Sequence, residues 1–338
     1  MPRALDSAAV RRPAVATVST EEETALSLHR RAPSWRPGRR AIVVGAPVVY
    51  VVALAIFVGS WGLPVARDQL FIWLGLGMAA FSVAAWRSWG RLLVDWLPFF
   101  GLLVAYDFLR GAVSVASSSA HVTAQIAVDK ALAGGAVPTV WLQDHLWSRG
   151  HPQWYDYGVW AVYMTHFFVV WVTAAVLWRM ARQRFRRYAI VTIALTVAAF
   201  LTYWLYPAQP PWLTAELLQL PAVDRIVPEV WGQLGVGTMK STYENGDLVN
   251  MVAAMPSLHA AYPFMLLLFF WPAGRYVRVG LALYTLAMGF ALVYGGEHYV
   301  TDILAGWAMA AIVFAAVQTA AAPLATRLRK RPLVDEAT

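Results

Sequence analysis

The sequence contains no cysteine, and charged residues are scarce for its length. Of 338 residues, 14% are charged, whereas 59% are hydrophobic and 17 are tryptophan. The absence of cysteine excludes disulfide bonds and thiolate chemistry. The shortage of charge excludes an ordinary soluble domain, whose surface needs more charged side chains. Several hydrophobic runs are long enough to cross a bilayer as helices, which indicates a membrane protein.

The net charge of +8 alone would be compatible with nucleic-acid binding, but its distribution is not. Arginines cluster in short segments between hydrophobic runs, the pattern that orients membrane proteins. We therefore expect the membrane and its lipids as partners, and no nucleic acid. Residues 1–40 lack the apolar core of a signal peptide and are predicted to form a disordered basic cytoplasmic tail. Residues 322–338 are predicted to form a second cytoplasmic tail.

The predicted fold class is all-α, a polytopic membrane helical bundle with about eight transmembrane helices. Two accessory helices are expected within residues 41–86, followed by a catalytic six-helix domain over residues 90–321. The connections 114–156 and 208–256 are predicted to form interfacial helices or a cap over the site. The eight predicted spans are 41–62, 70–86, 92–113, 157–178, 188–207, 257–274, 278–296 and 299–321.

The arginine clusters predict the topology of these spans. They precede span one, lie in every second connection and follow span eight, so all of them fall on one side of the membrane. The positive-inside rule makes that side, and both termini, cytoplasmic. His259, His298 and Asp302 then lie near the outer interface, which predicts an extracytoplasmic site in the cytoplasmic (inner) membrane.

The segment "EHYVTD" places His298 and Asp302 four residues apart, on one face of a helix. A carboxylate in this position can hold one imidazole nitrogen and leave the other directed at a substrate, as nucleophile or base. Ionisable groups within a membrane span are costly, so a functional role is the default hypothesis. The alternative is a buried structural His–Asp pair.

The segment "MPSLHA" places a second histidine at the start of a hydrophobic run. Pro256 is suited to the first turn of a helix, where its missing N–H has no cost. The free N–H groups of that turn and the Ser257 hydroxyl predict an anion site. His259 could donate a proton to a phosphate oxygen or a leaving group. The alternative is a capping turn with an incidental histidine.

Together the two segments predict phosphoryl transfer. His298 would attack phosphorus and form a phosphohistidine, His259 would protonate the leaving alkoxide, and Asp302 would orient His298. Two histidines and one aspartate could also bind zinc. The spacing is not specific for a metal site, so we expect no metal and no cofactor.

At these residues the chain resembles the type 2 phosphatidic acid phosphatase superfamily, which carries a P-S-x-H motif and a later H-x-x-x-D motif. Here the motifs read Pro256-Ser257-Leu258-His259 and His298 to Asp302. The resemblance implies that His259 is the acid, His298 the nucleophile and Asp302 its partner. It also implies a helical bundle of about six core spans, formed here by spans three to eight.

The chain departs from the phosphatase branch of that superfamily in two places. The K-x6-R-P motif, whose Lys and Arg clamp phosphate, is absent, and Leu292 stands where that branch has an arginine six residues before the nucleophile. The segments "YPAQPPWL", "NMVAAMPSLHAAY" and "YGGEHYVTDILAGW" resemble the inositolphosphotransferase group, the aureobasidin-sensitive inositol phosphorylceramide synthase type, and its bacterial relatives. This group transfers a phospho-headgroup from a phospholipid to another lipid hydroxyl.

Further polar residues are candidates for substrate binding. Arg110, next to Asp107 in the third span, could replace the missing clamp, since guanidinium suits phosphate. The alternative is an interfacial ion pair. Lys240 and Tyr243 could contact a headgroup from the outer connection. His166, within the fourth span, and Tyr299, beside the nucleophile, complete the set.

The function predicted from the sequence is an integral membrane phosphotransferase. It would transfer a phospho-headgroup, such as inositol phosphate, from a phospholipid to a lipid or other alcohol through a phosphohistidine. One alternative is a lipid phosphate phosphatase that uses water as the acceptor. A second alternative, from another class, is a non-catalytic lipid transporter or scaffold.

Overall fold

Helices make up almost the whole of the described structure. The computed structural model describes residues 37–61, 64, 67–82, 90, 93–99, 101–102, 120–217, 220–235 and 252–329. Over these residues the extended backbone forms isolated β-bridges and no named strand. The prediction of an all-α polytopic fold is confirmed.

Eleven α-helices have both ends within the described part of the chain. A short 3₁₀ turn, Trp271–Ala273, lies between the ninth and the tenth. In chain order they are α1 (Pro37–Trp61), α2 (Arg67–Ser82), α3 (Thr123–Leu132), α4 (Pro138–Leu146), α5 (Trp154–Met180), α6 (Arg182–Leu205), α7 (Pro211–Glu216), α8 (Ile226–Gln233), α9 (Leu258–Phe269), α10 (Arg275–Tyr294) and α11 (Val300–Arg329).

Five helices are long and apolar enough to cross a membrane, namely α1, α5, α6, α10 and α11. The second and sixth predicted spans correspond to shorter apolar stretches, Ile72–Phe81 and Leu258–Phe269. The third predicted span, 92–113, is described only at 93–99 and 101–102. Helix α9 ends before the predicted residue 274 because Pro272 and Gly274, at φ +108°, follow its last turn.

Helix α9 occupies the centre of the bundle. It packs against α11, α10, α5 and α6. On one side its Met265 joins a buried cluster that includes Leu195 and Ala310. On the other side its Ala260 joins a second cluster that includes Met288 and Ile303. Because both faces of α9 are packed, its N-terminus has a fixed position relative to α5 and α11.

Helices α1 and α2 pack mainly on each other. The Tyr50 hydroxyl donates to the Trp73 carbonyl at 3.1 Å, and the Tyr50 ring lies edge-on to Trp73 and Phe81. The apolar window of α1 has no buried residue. This pair corresponds to the two accessory helices predicted for residues 41–86.

The connections between the long helices contain short helices of their own, α3 and α4 before α5, and α7 and α8 before α9. Extended residues at His121, Ala208 and Ala253 lie side by side and exchange backbone hydrogen bonds. Helix α3 contacts α11, α4 contacts α10, and α8 contacts α5. Helices α3, α4 and α8 are therefore each packed against one of the long helices.

Candidate active site

The loop that carries His298 joins α10 to α11. The N–H groups of Glu297 and His298 both donate to the Leu292 carbonyl, at 3.0 and 3.2 Å. Gly296 adopts φ +79°, and a Cβ atom there would lie 2.7 Å from the Asp224 carbonyl oxygen, so only glycine fits. Leu292 itself is fully buried. A buried leucine thus occupies the position at which the phosphatase branch has its arginine.

His298 and Asp302 meet across the first turn of α11, as their spacing predicts. His298 Nδ1 lies 3.4 Å from Asp302 Oδ2, and the same oxygen accepts the Tyr299 N–H at 2.9 Å. His298 is 5% exposed and Asp302 is 0% exposed. The carboxylate can fix the tautomer and the direction of the imidazole, which leaves Nε2 free for chemistry.

The second motif forms the start of α9, one residue later than the sequence predicts. Ser257 is the N-cap, and its hydroxyl accepts the Ala260 N–H at 3.3 Å. Pro256 therefore precedes the cap and does not belong to the first turn. Serine is favoured as N-cap because its side chain replaces a missing intrahelical partner. Ser257 is completely buried, and its own N–H donates to the Asp302 carbonyl at 3.0 Å.

The two motifs are held together by a close approach of α9 and α11. A Cβ atom on Gly306 would lie 2.4 Å from the Ser257 carbonyl oxygen, closer than van der Waals contact allows. The Tyr203 hydroxyl also donates to the Pro256 carbonyl at 2.8 Å. The absence of a side chain at Gly306 therefore permits the N-terminus of α9 to lie against α11.

His259 and His298 face each other across this junction. His298 Nε2 lies 3.4 Å from His259 Nδ1, so Asp302, His298 and His259 form a continuous row. The nitrogens of the row face one another and do not converge on a common centre. Within the described residues, no three His, Cys, Asp or Glu side chains are arranged to hold a metal ion.

His259 lies between two rings of α5. The Tyr163 ring stacks on it with centroids 5.1 Å apart, and the His166 ring lies 3.9 Å away on another side. His166 in turn stacks on Tyr262 at 5.6 Å. The sequence indicated His166 as a candidate and missed Tyr163. The three-residue interval between them on α5 is a signal that could have identified the pair.

Asp129 on α3 caps α11, the helix that follows His298. Its buried carboxylate accepts the N–H groups of Val300 and Thr301, at 3.0 and 2.9 Å, and the Thr301 hydroxyl at 2.6 Å. The first N–H groups of a helix have no intrahelical partner, and a carboxylate there also complements the helix dipole. The partners are 171 residues apart in the sequence, so no local pattern reveals them.

Residues of the connections 114–156 and 208–256 hold the loop before His298 in place. Gln143 Nε2 donates to the carbonyls of Tyr294 and Asp224, at 2.8 and 2.9 Å, and its Oε1 accepts the Asp224 N–H at 2.9 Å. The Trp212 N–H donates to the Gly296 carbonyl at 3.1 Å. The loop that carries His298 is thus fixed from both of these connections.

Glu297, beside His298, is paired with Arg225. The guanidinium donates to both carboxylate oxygens at 3.2 Å and lies 4.3 Å from the centroid of the Trp212 ring. The side chains of Arg225 and Glu297 are 11% and 6% exposed, so the pair is largely shielded from water. Arg225 lies 72 residues before Glu297, and sequence analysis did not identify it.

The remaining candidates are placed as follows. Tyr299 is fully buried, and its backbone is tied to Asp302. Four residues lie outside the described part of the chain, namely Asp107, Arg110, Lys240 and Tyr243. Of the candidates that the structure describes, it brings together Ser257, His259, His298, Asp302, Tyr299 and His166.

This arrangement can support covalent transfer of a phosphoryl group. It provides an imidazole nitrogen oriented by a carboxylate and a second imidazole within reach of the same reacting group. His298 and Asp302 are buried, and charge interactions are strong where water is excluded.

Comparison with known proteins agrees with the motifs. The chain is 25% identical, over 236 residues, to a phosphoinositol dihydroceramide synthase from Bacteroides thetaiotaomicron. The aligned region covers 64% of this chain and 73% of the relative. No solved structure matches. A family model described as "PAP2 superfamily" matches residues 126–316, more than half of the chain and the part that contains both motifs. The chain is therefore an enzyme of the PAP2 superfamily.

Proposed function

We propose that this membrane enzyme transfers a phospho-headgroup, such as inositol phosphate, from a phospholipid donor to a lipid or other alcohol. The reaction would proceed through a phosphohistidine at His298. The observation that carries the proposal is the continuous row Asp302–His298–His259, with 3.4 Å between neighbouring side chains. The similarity to a phosphoinositol dihydroceramide synthase supports the choice of headgroup and of a lipid acceptor.

In the first half-reaction, His298 Nε2 attacks phosphorus while the bond from phosphorus to the glycerol oxygen breaks. His259 gives a proton to that oxygen, and diacylglycerol leaves. Asp302 stabilises the positive charge that develops on His298. In the second half-reaction, the acceptor hydroxyl loses its proton to His259 as its oxygen attacks phosphorus. The phosphorus–nitrogen bond breaks, and both histidines return to their initial state.

The buried leucine at position 292 favours a phosphodiester donor over a phosphate monoester. A monoester carries more negative charge and would need more cationic partners. The Leu292 side chain is fully buried and provides no cation for such a charge. This argument favours transfer of a headgroup over hydrolysis of phosphatidic acid.

The arginine distribution supports a location in the cytoplasmic membrane, with both termini cytoplasmic and the site extracytoplasmic. Arg182 begins α6, and Arg275 and Arg278 lie at the start of α10. His259 and His298 lie at the opposite ends of the two hydrophobic segments that these basic residues flank. On this basis the catalytic domain comprises residues 90–321, and α1 and α2 are accessory.

The function can be tested with purified protein in lipid or detergent. The enzyme is incubated with phosphatidylinositol or phosphatidic acid, with and without a lipid alcohol, and the products are assigned by mass spectrometry. Diacylglycerol together with a new phospho-headgroup lipid, both absent with His298→Ala, is the expected result. Free phosphate from phosphatidic acid without any transfer product would instead identify a phosphatase.

A further inference from the structure

The mechanism proposed above gives His166 no role, although the His166 ring lies against that of His259, the proposed acid. The centroids of His166 and His259 are 3.9 Å apart, and those of His259 and His298 are 5.4 Å apart. Three imidazoles from three different helical segments thus follow one another. Tyr262 closes the far side of His166, with ring centroids 5.6 Å apart.

The hydrogen-bonding capacity of the His166 Nδ1 atom is unused within the described residues. This atom is buried and has no partner there, and the ring as a whole is partly exposed. A neutral imidazole carries one donor and one acceptor, and leaving them unpaired in apolar surroundings is costly. An unpaired ionisable side chain inside a membrane helix is therefore a reason to look for a ligand.

The surroundings of His166 indicate what kind of ligand this is. His166 lies twelve residues after Trp154, the first residue of α5. At 1.5 Å per residue, it is about 18 Å along the helix from that exposed end. The neighbouring side chains on the same helix, Met164, Phe167 and Val170, belong to the two apolar clusters. In the proposed reaction the donor headgroup occupies the row formed by His259 and His298, whereas the apolar side chains beside His166 favour an acceptor whose hydroxyl is attached to apolar chains.

We propose that His166 binds the hydroxyl of a lipid alcohol and presents it to His259. The inference rests on the proposed function and specifies its acceptor as an alcohol with a long apolar body. The hydroxyl is held by a hydrogen bond to the His166 imidazole while its proton passes to His259. Its oxygen then forms the new bond to phosphorus as the bond to His298 breaks, and His166 is unchanged at the end of the cycle.

The test measures how the group carried by the phosphoenzyme is shared between two acceptors, a lipid alcohol and water. With phosphatidylinositol as donor, the ratio of lipid transfer product to water product is followed against the concentration of a long-chain lipid alcohol. This ratio does not depend on how fast the phosphoenzyme forms, so it isolates the acceptor step. His166→Phe keeps a ring between His259 and Tyr262 but removes both nitrogens, and His166→Gln restores a donor and an acceptor.

We expect His166→Phe to lower the ratio about tenfold or more, the effect of losing one or two hydrogen bonds to the acceptor. His166→Gln should recover part of the loss. His145→Phe is the matched control, because His145 is an exposed histidine of α4 that stacks on Trp141. It should leave the ratio unchanged.

Three results would contradict the inference, and they differ from failure of the proposed function. An unchanged ratio in His166→Phe would remove the role of His166. An equal fall in His145→Phe would show that the effect is not specific. If the unaltered enzyme used glycerol as readily as the lipid alcohol, the acceptor would not need an apolar body. If the unaltered enzyme forms no alcohol product and releases phosphate from phosphatidic acid, the proposed transferase itself fails.

Discussion

At the scale of single residues, Asp302 determines how His298 is presented. Its Oδ2 faces His298 Nδ1 and also accepts the Tyr299 N–H, so the carboxylate is itself fixed by the backbone. A carboxylate so placed keeps one tautomer and stabilises the imidazolium of the transition state.

We predict that Asp302→Asn lowers the rate of transfer by about 10²–10⁴-fold, because asparagine keeps the shape but loses the charge. His298→Ala should abolish both transfer and the acid-labile phosphoenzyme that brief incubation with labelled donor would otherwise reveal. The measurement is the rate of product formation together with the labelled fraction of protein. An Asp302→Asn enzyme with full activity would exclude the carboxylate from the reaction.

The residues at this scale divide into those that a local pattern reveals and those that it does not. His259, His298 and Asp302 could be identified because each motif lies within five consecutive residues. Asp129 and Arg225 could not, since their partners lie 171 and 72 residues away. A sequence read by its periodicity contains no information on such tertiary pairs.

At the scale of helices, the site depends on how closely α9 and α11 approach each other. We predict that Gly306→Ala destabilises the protein by about 1–3 kcal/mol, because the new methyl group would overlap the Ser257 carbonyl. Activity should fall further, since a shift of about 1 Å between His259 and His298 can cost about 10²-fold. Thermal unfolding in detergent and the transfer rate measure the two effects.

Gly289→Ala provides the matched control for this prediction. A Cβ atom there would meet Trp307 Cζ2 at 3.6 Å, an ordinary contact. We expect stability to be unchanged or to rise by about 0.4–1 kcal/mol, since alanine is favoured over glycine in a helix. Equal destabilisation by both substitutions would show that the close approach at Gly306 has no special importance.

The cap on α11 gives a second prediction at this scale. Asp129→Ala should lower the free energy of unfolding by about 1–3 kcal/mol, because buried N–H groups lose their acceptor. Asp144→Ala, an exposed aspartate on α4, should have little effect. Unfolding midpoints in one detergent measure both variants, and equal midpoints would mean that the cap contributes nothing to stability.

The helices themselves were largely predictable, because long apolar runs dictate them. The predicted spans over 157–178, 188–207, 278–296 and 299–321 match α5, α6, α10 and α11 within a few residues, apart from a longer C-terminal extension of α11. The sixth span proved shorter than predicted. Hydrophobic residues continue past Phe269 to Trp271, but helix α9 ends before Pro272 and Gly274. For the connections only interfacial helices or a cap were predicted, and the positions of their short helices depend on tertiary contacts such as those of Asp129 and Gln143.

At the scale of the whole molecule, the arrangement of basic residues predicts which face of the membrane each loop occupies. The absence of cysteine makes this testable, because a single introduced thiol has no background. We predict that His151→Cys, between α4 and α5, reacts with a membrane-impermeant thiol reagent in intact cells. Gln183→Cys, at the start of α6, should react only after the membrane is opened. Both positions are exposed, and the reverse pattern would place the site on the cytoplasmic side.

The cap on α11 also sets a time at which the site can be completed during synthesis. Asp129 is made 171 residues before Val300, the residue whose N–H it accepts. At about 5–20 residues per second, it waits roughly 10–30 s for that helix to be translated. His259 joins the chain only 41 residues before Val300, in the last quarter of this interval, and His298 and Asp302 follow together with the start of α11. The cap, His259 and the His298–Asp302 pair can therefore come together only when the last helix has been made, so an incomplete chain does not contain the assembled site.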